Sequence, residues 1–203
     1  MELIVLYDCS NSGKTTSLKI VYEVLKNLNY EETNVFRYLD LNYYRDFLDV
    51  LILDRNTTKN AIDLCVKMSQ STPMRYNASN IEDARNKNTI TDNVSLCNDY
   101  VKVLSNIKRT DTLVSKVRVG VVLEGDYKDN LEKNLNDLQQ QKCDVIICAC
   151  NKRTKNQPFN DVKDFVCKNN ASAYFVSASS NPDMQKAWLA NAANVLRVLK
   201  NII

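Results

Sequence analysis

Apolar residues in this chain fall into short unbroken runs separated by longer stretches in which they recur every three or four positions. Leu3 to Tyr7 is an unbroken apolar run of strand length. Thr15 to Leu28 places Leu18, Val21, Leu25 and Leu28 on one face of a helix. Asn34 to Leu39 reads as a second strand, and Phe47 to Leu53 reads either as a third strand or as part of a helix. Val117 to Leu123 is a strand, Asp129 to Gln141 an amphipathic helix carrying Leu131, Leu135 and Leu138, and Asp144 to Ala149 the most apolar strand. Asn160 to Lys168 is a helix and Ser172 to Val176 a final strand. From Pro182 a helix runs to about Ile203, with Leu189, Ala193, Leu196 and Leu199 in register. Helices alternating with short apolar strands predict βαβ units, hence an α/β fold of three layers with a mainly parallel central sheet.

The stretch from about Asp54 to Lys116 breaks that rhythm. It offers two helical patterns, Thr58–Gln70 and Asp92–Lys108, around a polar segment from Ser71 to Thr91. From Arg55 to Lys116 ten Lys/Arg face six Asp/Glu, a local +4 within a chain whose net charge is +3. The expectation is a single domain over residues 1–203 with a basic, partly helical insertion at about 54–116. Arg75, Arg85 and Arg109 on that insertion are placed to close over a bound ligand.

Composition narrows the chemistry. Apolar residues make up 44% and charged residues 25%, enough apolar surface to build a core in 203 residues. No apolar run approaches the roughly 18 residues of a membrane span, so no membrane association is expected. The first apolar run lacks the basic flank of a signal peptide. There are no histidines, which excludes His acid/base catalysis and most catalytic zinc sites. Seven cysteines, an odd number without a C-x-x-C pair, read as reduced thiols in a cytoplasm. A net charge of +3 is too mild to argue for a nucleic-acid partner.

The sharpest signal is Asp8-Cys9-Ser10-Asn11-Ser12-Gly13-Lys14-Thr15-Thr16, between a strand and a helix. A loop in that position turns successive backbone N–H groups inward at the positive end of a helix dipole, forming a nest for an anion. Cys9, Ser10, Asn11 and Ser12 supply backbone to the nest, and Gly13 permits close approach of a phosphate. Lys14 places a point charge on the β- and γ-phosphates, the Thr15 hydroxyl is a Mg²⁺ ligand, and Thr16 faces the α-phosphate. These residues resemble the phosphate loop of the P-loop NTPase superfamily, G-x-x-x-x-G-K-[ST], with Asp8 in place of the first glycine. The resemblance implies binding of a nucleoside triphosphate, ATP or GTP, with Mg²⁺; it does not specify the reaction.

Such a site also needs an acidic residue at the end of a neighbouring strand. Glu124-Gly125-Asp126, after the strand at Val117–Leu123, is the first candidate, with Asp126 as metal ligand and Glu124 as the second choice. Asp54, ending the run Val50–Leu53, competes with it. Asn151-Lys152-Arg153-Thr154 resembles the Asn-Lys-x-Asp guanine loop of GTPases, with Thr154 where the aspartate belongs. Ser177-Ala178-Ser179 resembles the companion Ser-Ala loop. Asn151 and Arg153 are thereby expected near the base. Because Thr cannot accept the paired hydrogen bonds of guanine, adenine is favoured. The leading expectation is a cytoplasmic ATP-binding protein acting by hydrolysis or kinase-like phosphoryl transfer. A GTPase-like switch is the alternative, and so is a non-hydrolysing module that docks a protein or nucleic acid through its basic insertion.

Overall fold

The computed structural model describes residues 1–8, 13–29, 37–38, 47–71, 115–123, 128–152, 158–179 and 183–203. In chain order these form β1 (Glu2–Asp8), α1 (Lys14–Lys26), β2 (Arg37–Tyr38), β3 (Phe47–Asp54), α2 (Arg55–Ser71) and β4 (Lys116–Val122). There follow α3 (Lys128–Gln140), β5 (Val145–Asn151), α4 (Pro158–Lys168), β6 (Ser172–Ser177) and α5 (Met184–Ile202). The strands make one sheet in the order β2-β3-β4-β5-β1-β6. β4, β5, β1 and β6 pair in parallel, while β3 is antiparallel to both β4 and β2.

The apolar runs become strands covered on both faces. Leu3, Ile4, Val5 and Leu6 of β1 have no exposure, and every residue of β5 is buried. Alternate side chains feed two separate cores. Ile4 and Leu6 join α1, α2 and α5 through Leu18, Ile62 and Leu196. Leu3 and Val5 join α3 and α4 through Leu135 and Phe165. The result is an α/β fold of three layers around a mainly parallel sheet. At Gly120 α3 packs closely on β4: a Cβ there would lie 2.8 Å from Leu138 Cδ1. No helix among the described residues is long and apolar enough to cross a membrane.

The ambiguous run Phe47–Leu53 is a strand, and it runs against its neighbours. The stretch expected as an insertion opens with α2, which is an integral part of one layer. Ala61, Ile62 and Cys65 share a core with Val195 and Leu199 of α5, and Arg55 Nη1 donates to the Ile203 carbonyl at 3.2 Å. The helix expected at Asp92–Lys108, the polar segment, and Arg75, Arg85 and Arg109 lie outside the described residues. Of the strand expected at Asn34–Leu39, Arg37–Tyr38 is described and pairs with β3.

Candidate functional site

The carboxyl ends of the parallel strands define one edge of the sheet, where ligands of open α/β sheets gather. β1 ends there at Asp8, with Asn151 of β5 directly opposite it in register. On the other side, Tyr7 is level with Ser177 of β6. Two backbone bonds tie the edge together: Lys152 N–H donates to the Asp8 carbonyl at 3.0 Å, and Ala178 N–H to the Tyr7 carbonyl at 3.0 Å.

α1 rises from this edge. Gly13 is its N-cap residue with φ 73° and ψ 18°, a left-handed conformation that glycine adopts without strain. The Gly13 carbonyl accepts from Ser17 N–H and from Ser17 Oγ, each at 2.9 Å. Among the described residues, its N-terminal N–H groups have no side-chain cap, and its first turn contains no acidic residue. Lys14, only 6% exposed, turns its ammonium back toward β1, where Nζ donates to the Asp8 carbonyl at 3.3 Å. Thr15 and Thr16 follow, both half-buried. A buried cation beside uncapped helix N–H groups is an arrangement that suits a multiply charged anion.

Cys150, next to Asn151, lies near enough to Lys14 to feel its charge. Burial pushes the Cys150 thiol up to about 12, and Lys14 pulls weakly in the other direction. Burial likewise raises Cys65 and Cys143 to about 12 and pushes the Cys148 thiol well above its ordinary value. All four are free thiols kept protonated in the core, consistent with small apolar packing residues rather than nucleophiles.

Of the residues singled out from sequence, Gly13, Lys14, Thr15, Thr16 and Asn151 come together at this edge. Cys9, Ser10, Asn11, Ser12, Glu124, Asp126, Arg153 and Thr154 lie outside the described residues. Two placements differ from expectation. β4, which leads to Glu124 and Asp126, is not a neighbour of β1, because β5 lies between them. Val122, the last residue of β4, is thus level with Val5 of β1, two strand spacings or roughly 10 Å across the sheet and three residues short of Asp8. Asn151 is 2% exposed and level with Asp8. The competing Asp54 lies at the opposite edge: it pairs with Lys116 at the start of β4, and its Oδ1 accepts from Thr57 N–H at 2.7 Å, capping α2. Among the described residues no cluster of three or more His, Cys, Asp or Glu offers a metal site. Thr15 is the described member of the expected Mg²⁺ set.

Two residues of this edge went unnoticed in the sequence. Asn191 of α5 has no exposure, and its Oδ1 accepts from Ser179 N–H at 2.8 Å and Ser179 Oγ at 3.0 Å. It clamps the Ser177–Ser179 turn to α5. Its signal was a polar residue in line with the buried Ala187 and Val195, four positions to either side. Trp188, one turn earlier, lies over Gly13: a Cβ built on Gly13 would fall 2.0 Å from Trp188 Nε1. No family model, curated protein or solved structure matches this chain.

Proposed function

We propose that this protein binds a nucleoside triphosphate, ATP, at the loop between β1 and α1, as a P-loop NTPase-like protein of the cytoplasm that hydrolyses or transfers the γ-phosphoryl group. The observation that carries the reading is the start of α1: an uncapped helix N-terminus, a left-handed Gly13, and the buried Lys14 ammonium folded over the end of β1. Lys14 is the charge that meets the β- and γ-phosphates, and the α1 N–H groups are the donors that hold them. Thr15 is the hydroxyl ligand for Mg²⁺, with Asp126 or Glu124 as its acidic complement. Mg²⁺, when bound, neutralises phosphate charge during transfer. The preference for adenine rests on Thr154 standing where a guanine-reading aspartate would be.

Equilibrium binding of ATP to wild type and Lys14→Ala tests this. Loss of one buried charge-assisted contact lowers affinity by roughly 10- to 100-fold. The melting temperature of the ligand-free protein stays nearly the same. Equal ATP affinity in the two proteins rejects the reading, and a phosphate-release assay then separates a turning-over enzyme from a binding module.

A further inference from the structure

We infer that the outer edge of β6 is a self-association surface, where a second copy of this chain adds its own β6 antiparallel and continues the sheet across a two-fold axis. The inference is independent of the nucleotide reading. β6 is the last strand of the sheet, and among the described residues no strand pairs with its outer side. Its bonds to β1 fix which backbone groups face outward. Ser172 N–H donates to the Met1 carbonyl at 3.3 Å, and Ala178 N–H to the Tyr7 carbonyl at 3.0 Å. Backbone direction alternates along a strand, so Ser172, Tyr174 and Val176 turn toward β1. Ala173, Phe175 and Ser177 turn their N–H and C=O groups away from it.

The strand has none of the devices that keep an edge from pairing. Ser172–Ser177 contains no charged residue and no proline, and its six residues pair with Glu2–Tyr7 without a bulge. At the other end of the sheet, β2 is two residues long and begins with Arg37. Both faces of β6 are open: Tyr174 is 40% exposed on one and Phe175 37% on the other, while every residue of β5 is buried. The Phe175 ring is nevertheless held in place, with its centroid 5.0 Å from that of Phe159 and 6.0 Å from that of Tyr7.

Such an edge fits a strand that is uncharged and apolar on both faces, and β6 itself meets that description. With the two-fold axis at Phe175, all three outward-facing residues find partners within the strand. Phe175 lies opposite its own copy, Ala173 opposite Ser177, and Tyr174 opposite Val176 on the other face. Aromatic–aromatic and aromatic–β-branched pairs of this kind stabilise antiparallel ladders, and no like charges are brought together. An axis at Tyr174 would instead leave Ser177 opposite Ala171, outside the strand. A two-fold contact closes on itself, so assembly stops at the dimer. Six residues form a small interface, so the dimer dissociates on dilution.

Sedimentation of the full chain over a concentration series tests this, with wild type, Phe175→Lys and Phe175→Glu. The wild type should pass from monomer to dimer as concentration rises. Each variant alone sets like charges opposite one another and should associate roughly tenfold more weakly or less still. An equal mixture of the two variants should recover association, because opposite charges then meet. Residue-resolved hydrogen exchange on the wild type gives a second readout that needs no substitution. The amides of Ala173, Phe175 and Ser177 should slow as concentration rises, whereas those of Tyr174 and Val176, bonded to β1, should not change. Should the variants not fold, this alternation decides alone. A wild type that is monomeric at every concentration, a dimer equally strong in both variants, or exchange at Ala173, Phe175 and Ser177 that is independent of concentration overturns the assignment.

Discussion

Two strands of this sheet end in aspartate and lead into a helix, and the two junctions are built in opposite ways. At the end of β3, Asp54 passes directly into α2, and its own carboxylate caps the helix through Thr57 N–H at 2.7 Å. Arg55 N–H donates to the Ser115 carbonyl at 2.9 Å, and the Arg55 side chain reaches the Ile203 carbonyl. At the end of β1, Asp8 is separated from α1 by residues 9–13, no side chain caps the helix, and a lysine takes the buried position instead. The first arrangement caps its helix from its own strand end, while Asp54 Oδ2 and Thr58 Oγ1 are buried without a hydrogen-bond partner among the described residues. The second holds a positive helix end and a buried ammonium at the edge where parallel strands finish. The antiparallel direction of β3 puts the two junctions at opposite edges, so an acid at one has no part in the chemistry of the other. A third helix confirms the pattern: Asp183 caps α5 by accepting from Lys186 N–H at 3.2 Å. That backbone bond is also the main reason its carboxyl sits below the usual range.

Substitutions at the two junctions should separate them. The largest effect is expected from Gly13→Ala. An L-residue at φ 73° is strained by roughly 1–2 kcal/mol. The new methyl would also displace the Trp188 ring, at an overpacking cost of typically 1–3 kcal/mol. Chemical denaturation should show about 3 kcal/mol of lost stability, with ATP binding impaired as well. A loss below about 1 kcal/mol would mean that neither the turn nor the ring contact is as described. Asp54→Ala should do less: removal of a helix cap costs about 1 kcal/mol, a fall of roughly 2–4 °C in melting temperature for a chain of this size. ATP affinity should not move. A marked fall in ATP affinity with Asp54→Ala would break the distinction between a closed structural junction and an open one.

Much of the fold was legible because local pattern decides element type. The leucine spacing of α3 and α5 and the unbroken apolar runs of β1, β4 and β5 survive in the structure with ends shifted by one or two residues. Strand direction and strand order were not legible. Phe47–Leu53 has the composition of a buried strand, but nothing local says that it runs antiparallel, and that direction is what removes Asp54 from the site. Nor does any run of residues state that β5 inserts between β1 and β4; this depends on how the crossover helices pack. The candidate string Asp8–Thr16 was legible because it is contiguous in the sequence. Trp188 was not, since it lies outside the Leu189–Ala193–Leu196–Leu199 register and meets Gly13 only through the packing of α5 on α1.

The most direct test of the central claim is the melting temperature of the intact protein against a panel of nucleoside mono-, di- and triphosphates, with and without Mg²⁺. A ligand present at 100 times its Kd stabilises the folded state by about 2.7 kcal/mol, which for this length is a rise of roughly 5–10 °C. That rise is expected with Mg²⁺–ATP, a smaller one with ATP alone, and the least with the monophosphate, whose short phosphate chain cannot span Lys14 and the α1 N-terminus. A melting temperature that no nucleoside triphosphate changes at millimolar concentration, with or without Mg²⁺, contradicts it.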